Sequence, residues 1–180
     1  MGQGEPLANY DAVIRAARIL SHPCGGMIKA KAISISTVGL VPAIRRYTAE
    51  GHPYRLIVSL TTTDPARRAE LMPYAARWPL PVLADAIREH AETTRERATV
   101  AWVAIGGMNT GPDEVEGLRR LLGGAHLRLN LIDVNDPRPG GYRRATDEEL
   151  SAFRDALREL KVPVVRRYSG GVKADAACGM

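Results

Sequence analysis

The last seven residues, Ala174, Asp175, Ala176, Ala177, Cys178, Gly179 and Met180, put a thiol on a short tail of small residues, from which it can reach a site built by the rest of the chain. A cysteine that serves packing normally sits inside an apolar strand or helix. Chain ends are also where order is lowest, so an idle thiol on a frayed terminus is the alternative reading. The opposite end carries a second chemical signature, a glycine-rich turn with one carboxylate at Gly2, Gln3, Gly4, Glu5 and Pro6. The other cysteine, Cys24, sits in a Pro-Gly-Gly loop and reads as structural or incidental. Together Cys24 and Cys178 form neither a metal-ligand spacing nor a disulfide framework, so no metal site can be built from this chain alone.

The elements that must position these groups follow from periodicity and punctuation. A helix is expected from about Asn9 to Leu20, with Val13, Ala16, Ala17 and Leu20 on one face. Strands are expected over 31–36, 54–60, 98–105, 126–131 and 162–167, separated by helices over 41–50, 65–71, 83–93, from Pro112 to the glycines at 123 and 124, and over 146–160. Thr146 and Glu149 have the spacing of a capping box. A glycine-rich turn normally follows a strand and none precedes this one, so the sequence is expected to begin in the middle of a unit.

Strands alternating with helices argue for βαβ units, a parallel sheet and an α/β class. Active sites of such sheets and barrels lie at the C-terminal ends of the strands. That rule selects Ser36 and Thr37, Ser59 and Thr61, Asn109 and Asn135; for each taken alone a plain turn or helix cap is the stronger reading, and together they point to a site.

Composition narrows the class. With 180 residues, 45% hydrophobic and 25% charged, the chain suits one domain over 1–180 with one core. No apolar run is long enough to span a bilayer and no signal peptide is apparent, which together predict a cytoplasmic protein without membrane partners. The net charge of +5 comes from dispersed arginine pairs such as Arg45 with Arg46 and Arg119 with Arg120. Dispersed pairs favour solvated surface over a nucleic-acid footprint.

Read together, these residues resemble a known family. Gly2-x-Gly4-Glu5-Pro6-Leu7 with Asn9-Tyr10, then Ile35-Ser36-Thr37-x-Gly39-Leu40-Val41-Pro42, Ser59-Leu60, Leu71-Met72-Pro73, Asn130-Leu131-Ile132 with Asn135, and Asp175-Ala176-Ala177-Cys178-Gly179 look like the C-terminal half of the radical SAM ribosomal-RNA adenine methyltransferases, the RlmN/Cfr group. The resemblance implies a partial (β/α) TIM-like barrel of the radical SAM type, truncated at the N-terminus. It implies S-adenosylmethionine (SAM) and a [4Fe-4S] cluster as cofactors, an electron donor such as flavodoxin, and 23S rRNA adenine as substrate, at C2 or C8, with tRNA a further substrate in some members.

In that mechanism Cys178 is first methylated, a deoxyadenosyl radical takes a hydrogen from the methyl group, and the resulting methylene radical adds to the ring carbon. The resemblance assigns SAM contacts to Gly4, Glu5, Ser36, Ser59, Leu60, Thr61 and Asn135. Thr61 stands where the family has histidine, and Asp136 interrupts the family's Asn-Pro pair, which is expected to loosen that loop. The cluster-binding cysteines and the resolving cysteine lie upstream of the glycine turn in the family, so the chain alone is expected to be incomplete and inactive. The rival readings are a radical SAM enzyme with another substrate and a non-catalytic SAM- or RNA-binding remnant.

Overall fold

The computed structural model describes residues 4–136 and 138–167. Five strands form one parallel sheet in sequence order: β1 (Ser34–Thr37), β2 (Arg55–Ser59), β3 (Ala98–Ala104), β4 (Leu127–Asp133) and β5 (Val164–Arg167). Because the order never reverses and parallel crossovers are right-handed, the connecting helices fall on one side. This is the winding of a partial (β/α) barrel rather than of a doubly wound sheet, as expected.

The helices are α1 (Tyr10–Ser21), α2 (Val41–Ala49), α3 (Pro65–Leu71), α4 (Leu80–Thr94), α5 (Pro112–Leu122) and α6 (Asp147–Leu157). Their ends have local causes. Pro65, Pro81 and Pro112 sit in first turns, where a missing N–H costs nothing. Asp64 caps α3 by accepting from Arg67 N, and Thr146 with Glu149 forms the capping box of α6. α4 starts three residues earlier than expected because Pro81 opens the helix instead of breaking it. Residues 30–32 form a 3-10 turn, so β1 starts only at Ser34. β4 runs two residues longer than expected, to Asp133.

The core lies between sheet and helices. Leu56, Val58, Val100, Trp102, Leu129 and Leu131 are buried there, and the Trp102 ring packs 5.7 Å from that of Phe153 on α6. Alternation puts Ser36, Ser59, Ala101 and Asn130 on the other face. Register aligns Ser59 with Ala101 and Ala101 with Asn130, so a row of small and polar residues crosses the concave side.

Candidate functional site at the C-terminal ends of the strands

Glu5 is the first anchor. Its Oε1 accepts from Leu7 N at 2.9 Å, capping the 3-10 turn Pro6–Asn9, and its Oε2 accepts from Val38 N at 2.8 Å. The carboxylate thus fastens the glycine turn to the end of β1. Gly4 has φ +93°, a conformation that suits glycine. Gly4, Glu5, Ser36 and Ser59 all line one cleft of about 450 Å³, which runs along the free edge of β1 beside Val13, Ala16 and Leu20 of α1. Four of the seven expected SAM contacts are therefore neighbours, although 55 residues of sequence separate the first from the last.

Leu60 and Thr61 occupy the loop after β2, just beyond the cleft. Leu60 is buried, and its contribution is a backbone one: its carbonyl accepts from Arg68 Nη1 at 2.6 Å. Thr61 has φ +63°, a left-handed conformation that a β-branched residue adopts at a cost of roughly 1–3 kcal/mol. The surrounding contacts hold it there. Asn109 Nδ2 donates to Thr61 O at 2.7 Å, and the buried carboxylate of Glu114 accepts from Thr62 Oγ1 and, at 2.6 Å, from Thr63 N. Gly117 lets α5 come this close, since a Cβ there would overlap the Thr63 hydroxyl.

Asn135 lies at the end of β4, three strand spacings or about 14 Å from β1, and does not line the cleft. Arg144 donates to its Oδ1 at 3.2 Å, which fixes the amide so that Nδ2 is buried without a partner. Asn130 Oδ1, on the concave face, is likewise buried and unpartnered. Unpaired buried donors and acceptors are costly, and a polar ligand across the strand ends would satisfy them. The residues present therefore fit SAM: a carboxylate and serine hydroxyls at one end of the row, and an orphaned amide at the other.

Three strand-end residues serve the scaffold. Thr37 Oγ1 accepts from Gly39 N at 3.1 Å, closing the turn after β1. Asn109 is fully buried and ties Ile105 N, Val103 O and Thr61 O together. Asp136 corrects an expectation. It tightens its loop instead of loosening it, accepting from Arg138 N, Arg138 Nη2 and Tyr142 N, with the Arg138 guanidinium holding its carboxyl well below the usual range.

The residue that sequence reasoning missed is Arg68. Buried on α3, it donates to Val38 O at 2.6 Å, to Leu60 O at 2.6 Å and to Ser59 O at 3.3 Å, joining the ends of β1 and β2. Burial lowers its pKa to about 10. Its only signal in the sequence was membership of an arginine pair, which reads as surface.

Cys24 is exposed in the loop after α1, and Cys178 lies outside the described residues. Among the described residues no group of three or more His, Cys, Asp or Glu could hold a metal ion, and none of their helices is long and apolar enough to cross a membrane. A [4Fe-4S] cluster does not fit the described residues.

No protein-family model matches the chain. It is 54% identical over 179 residues to a probable RNA methyltransferase of Myxococcus xanthus, covering 99% of this chain and 50% of that protein. It is 42% identical to a probable dual-specificity RNA methyltransferase RlmN of Symbiobacterium thermophilum, covering 99% of this chain and 48% of that one. The chain thus spans about half the length of these relatives.

A radical SAM methyltransferase from Sphaerobacter thermophilus superposes with a TM-score of 0.92 at 38% identity, over 99% of this chain and 52% of that one. A domain of a pyruvate-formate lyase-activating enzyme from Bacteroides vulgatus shares the fold at 14% identity and a TM-score of 0.66. The resemblance to the radical SAM rRNA methyltransferases read from the sequence is borne out by these relatives over the whole chain.

Proposed function

We propose that this chain, homologous over its whole length to about half of the RlmN-type RNA methyltransferases, is the SAM-binding and methyl-carrying part of an enzyme that methylates C2 of an adenine in 23S rRNA, with tRNA as a second substrate. The observation that carries the reading is the cleft that gathers Gly4, Glu5, Ser36 and Ser59, with the orphaned Asn135 amide farther along the same strand ends.

When bound, SAM supplies the methyl group. Glu5 offers the lone pairs left after its two backbone bonds to the ammonium end of the ligand, a charge-assisted contact in a partly buried place. Ser36 and Ser59 orient the ligand along β1 and β2, Leu60 and Thr61 form the wall beyond β2, and Asn135 Nδ2 donates at the far end. Arg68 and Asn109 keep these loops in place before the ligand arrives, so little ordering remains to be done on binding.

Cys178, on its small-residue tail, receives the methyl group and presents it to the base. With two cysteines in the chain, the cluster and the resolving cysteine are supplied from outside it, together with a flavodoxin-type donor, and the chain alone is inactive. The setting is the cytoplasm.

Calorimetric titration with SAM tests the site. Binding to the wild-type chain is expected, with loss of about tenfold in affinity for Ser36→Ala and for Asn135→Ala, the value of one hydrogen bond to a polar ligand. Unchanged affinity in both variants would move SAM elsewhere. Mass analysis of the chain after co-expression with the cluster-bearing half of an RlmN-type relative would find Cys178 unmethylated if the carrier role is wrong.

A further inference from the structure

A broad hollow lies at the N-terminal ends of the strands, opposite the ends that carry Ser36 and Ser59. It has a volume of about 580 Å³ and is bordered by the segments that lead into β2, β3 and β4, among them Arg55, Arg97, His126 and Arg128, with Lys31 from the approach to β1. This end of a barrel ordinarily serves stability, with function confined to the opposite end.

Its charge is unbalanced. Glu96 is the one carboxylate on the lining, and Lys31 already takes it in an ion pair. Arg55, Arg97 and Arg128 make no ion pair among the described residues, whereas most arginines on the helices are paired, Arg45 with Glu89 and Arg119 with Glu116 for example. Arg128 stands out further, because its Nε is buried and has no acceptor. A guanidinium N–H left dry and unpaired is costly unless something anionic completes it.

The form of the basin indicates the ligand. Arg55 and Arg97 are exposed on the rim, Arg128 is half-buried within, and threonines 93, 94 and 99 add hydroxyls. The only Phe, Tyr or Trp on the lining is Tyr54, which is 6% exposed and offers no face for a base to stack on. Spaced guanidinia, with the His126 imidazole as the one exposed aromatic ring on the lining, suit a chain of phosphates better than a row of stacked bases. Arg55 and Ser59 stand at opposite ends of β2, about 13 Å apart, so a phosphate held by Arg55 is displaced along the strand from the serine that faces SAM.

We infer that this basin is a second RNA contact, in which Arg55, Arg97 and Arg128 bind the phosphodiester backbone of the substrate away from the modified base. The inference rests on the RNA-substrate reading above. It adds affinity and orientation without sequence selectivity, and it is sensitive to salt because each phosphate contact releases counterions.

Fluorescence anisotropy of the 180-residue chain with a labelled single-stranded RNA of mixed sequence, over a salt series, tests it. Arg55→Gln with Arg97→Gln is expected to weaken binding at low salt about tenfold and to flatten the log–log salt slope by about 1.4. Arg128→Lys, which keeps the charge but loses the fork, is expected to weaken binding by itself.

Arg119→Gln with Arg120→Gln on α5 removes the same charge elsewhere and is expected to change little. Equal losses in the two double variants would overturn the inference in favour of net charge. RNA binding indifferent to Arg55, Arg97 and Arg128 would overturn it and leave the RNA reading intact. A chain that binds SAM but no RNA at any salt would overturn both.

Discussion

Glu5 Oε2 lies 2.8 Å from the backbone nitrogen of Val38, a bond across 33 residues that closes the glycine turn onto the end of β1. A carboxylate expected from the sequence to meet a ligand is thus also a bracket of the scaffold. Glu5→Ala is expected to lower stability by about 1–3 kcal/mol, since Leu7 N and Val38 N lose their acceptors together. Glu5→Gln keeps one oxygen and is expected to fall between. Urea midpoints check the stability, and SAM titration of the better-folded Gln variant checks the ligand role, with weaker binding expected.

Arg68→Met is expected to cost about 3 kcal/mol or more, because three carbonyls at the ends of β1 and β2 lose a donor while buried. Arg68→Lys is expected to recover only part of this, as one ammonium group does not span Val38 O and Leu60 O as the fork does. Denaturant melts of both variants read this directly; midpoints equal to that of the wild-type chain in both would refute the bracket.

Thr61 offers a case in which stability and binding part company. Thr61→Gly is expected to hold or raise stability by up to about 1 kcal/mol, since glycine takes φ +63° without strain. SAM affinity is expected to fall in the same variant, because the hydroxyl is gone and the loop is freer. Parallel thermal melts and SAM titrations decide it; tighter binding in the glycine variant would remove Thr61 from the site.

His90 sets an acid limit on the fold. Burial holds its imidazole below the ordinary range, with Nδ1 2.9 Å from Thr48 Oγ1 between α2 and α4. In the unfolded chain the ring takes up a proton near pH 6.5, while in the folded chain it resists doing so. The unfolded state therefore binds more protons as pH falls through about 6.5, and stability is lost on the acid side of that value. The melting temperature is expected to decline from about pH 7 to about pH 5, and to decline less in His90→Gln. An identical decline in the variant would assign the effect to other groups.

Features of this chain are legible in its sequence when the interacting partners lie close together along it, and not when they are distant. The βα alternation, the capping box at Thr146 and Glu149, and the polar residues placed after apolar strands were legible because each depends on neighbours within a few residues. The fold could be read for that reason, and so could the placing of polar residues at the strand ends, whose roles as SAM contacts come from the family resemblance alone. Boundaries moved where Pro81 began a helix and where a 3-10 turn shortened β1. Asp136 was misjudged because its partners, Arg138 and Tyr142, close a loop whose geometry is not a matter of propensity.

By itself, then, the sequence determined that strands and helices alternate, and that hydroxyls, amides and one glycine-bound carboxylate stand at the strand ends. Only the tertiary structure decided that Glu5, Ser36 and Ser59 share a cleft and that Arg68 lies buried beside it. It alone also decided that Arg55, Arg97 and Arg128 stand at the opposite end without an ion pair among the described residues. The physical reason is that periodicity and capping act over one or two turns of chain. Burial of a charge, and the partner that does or does not meet it, depend on which elements the sheet brings side by side.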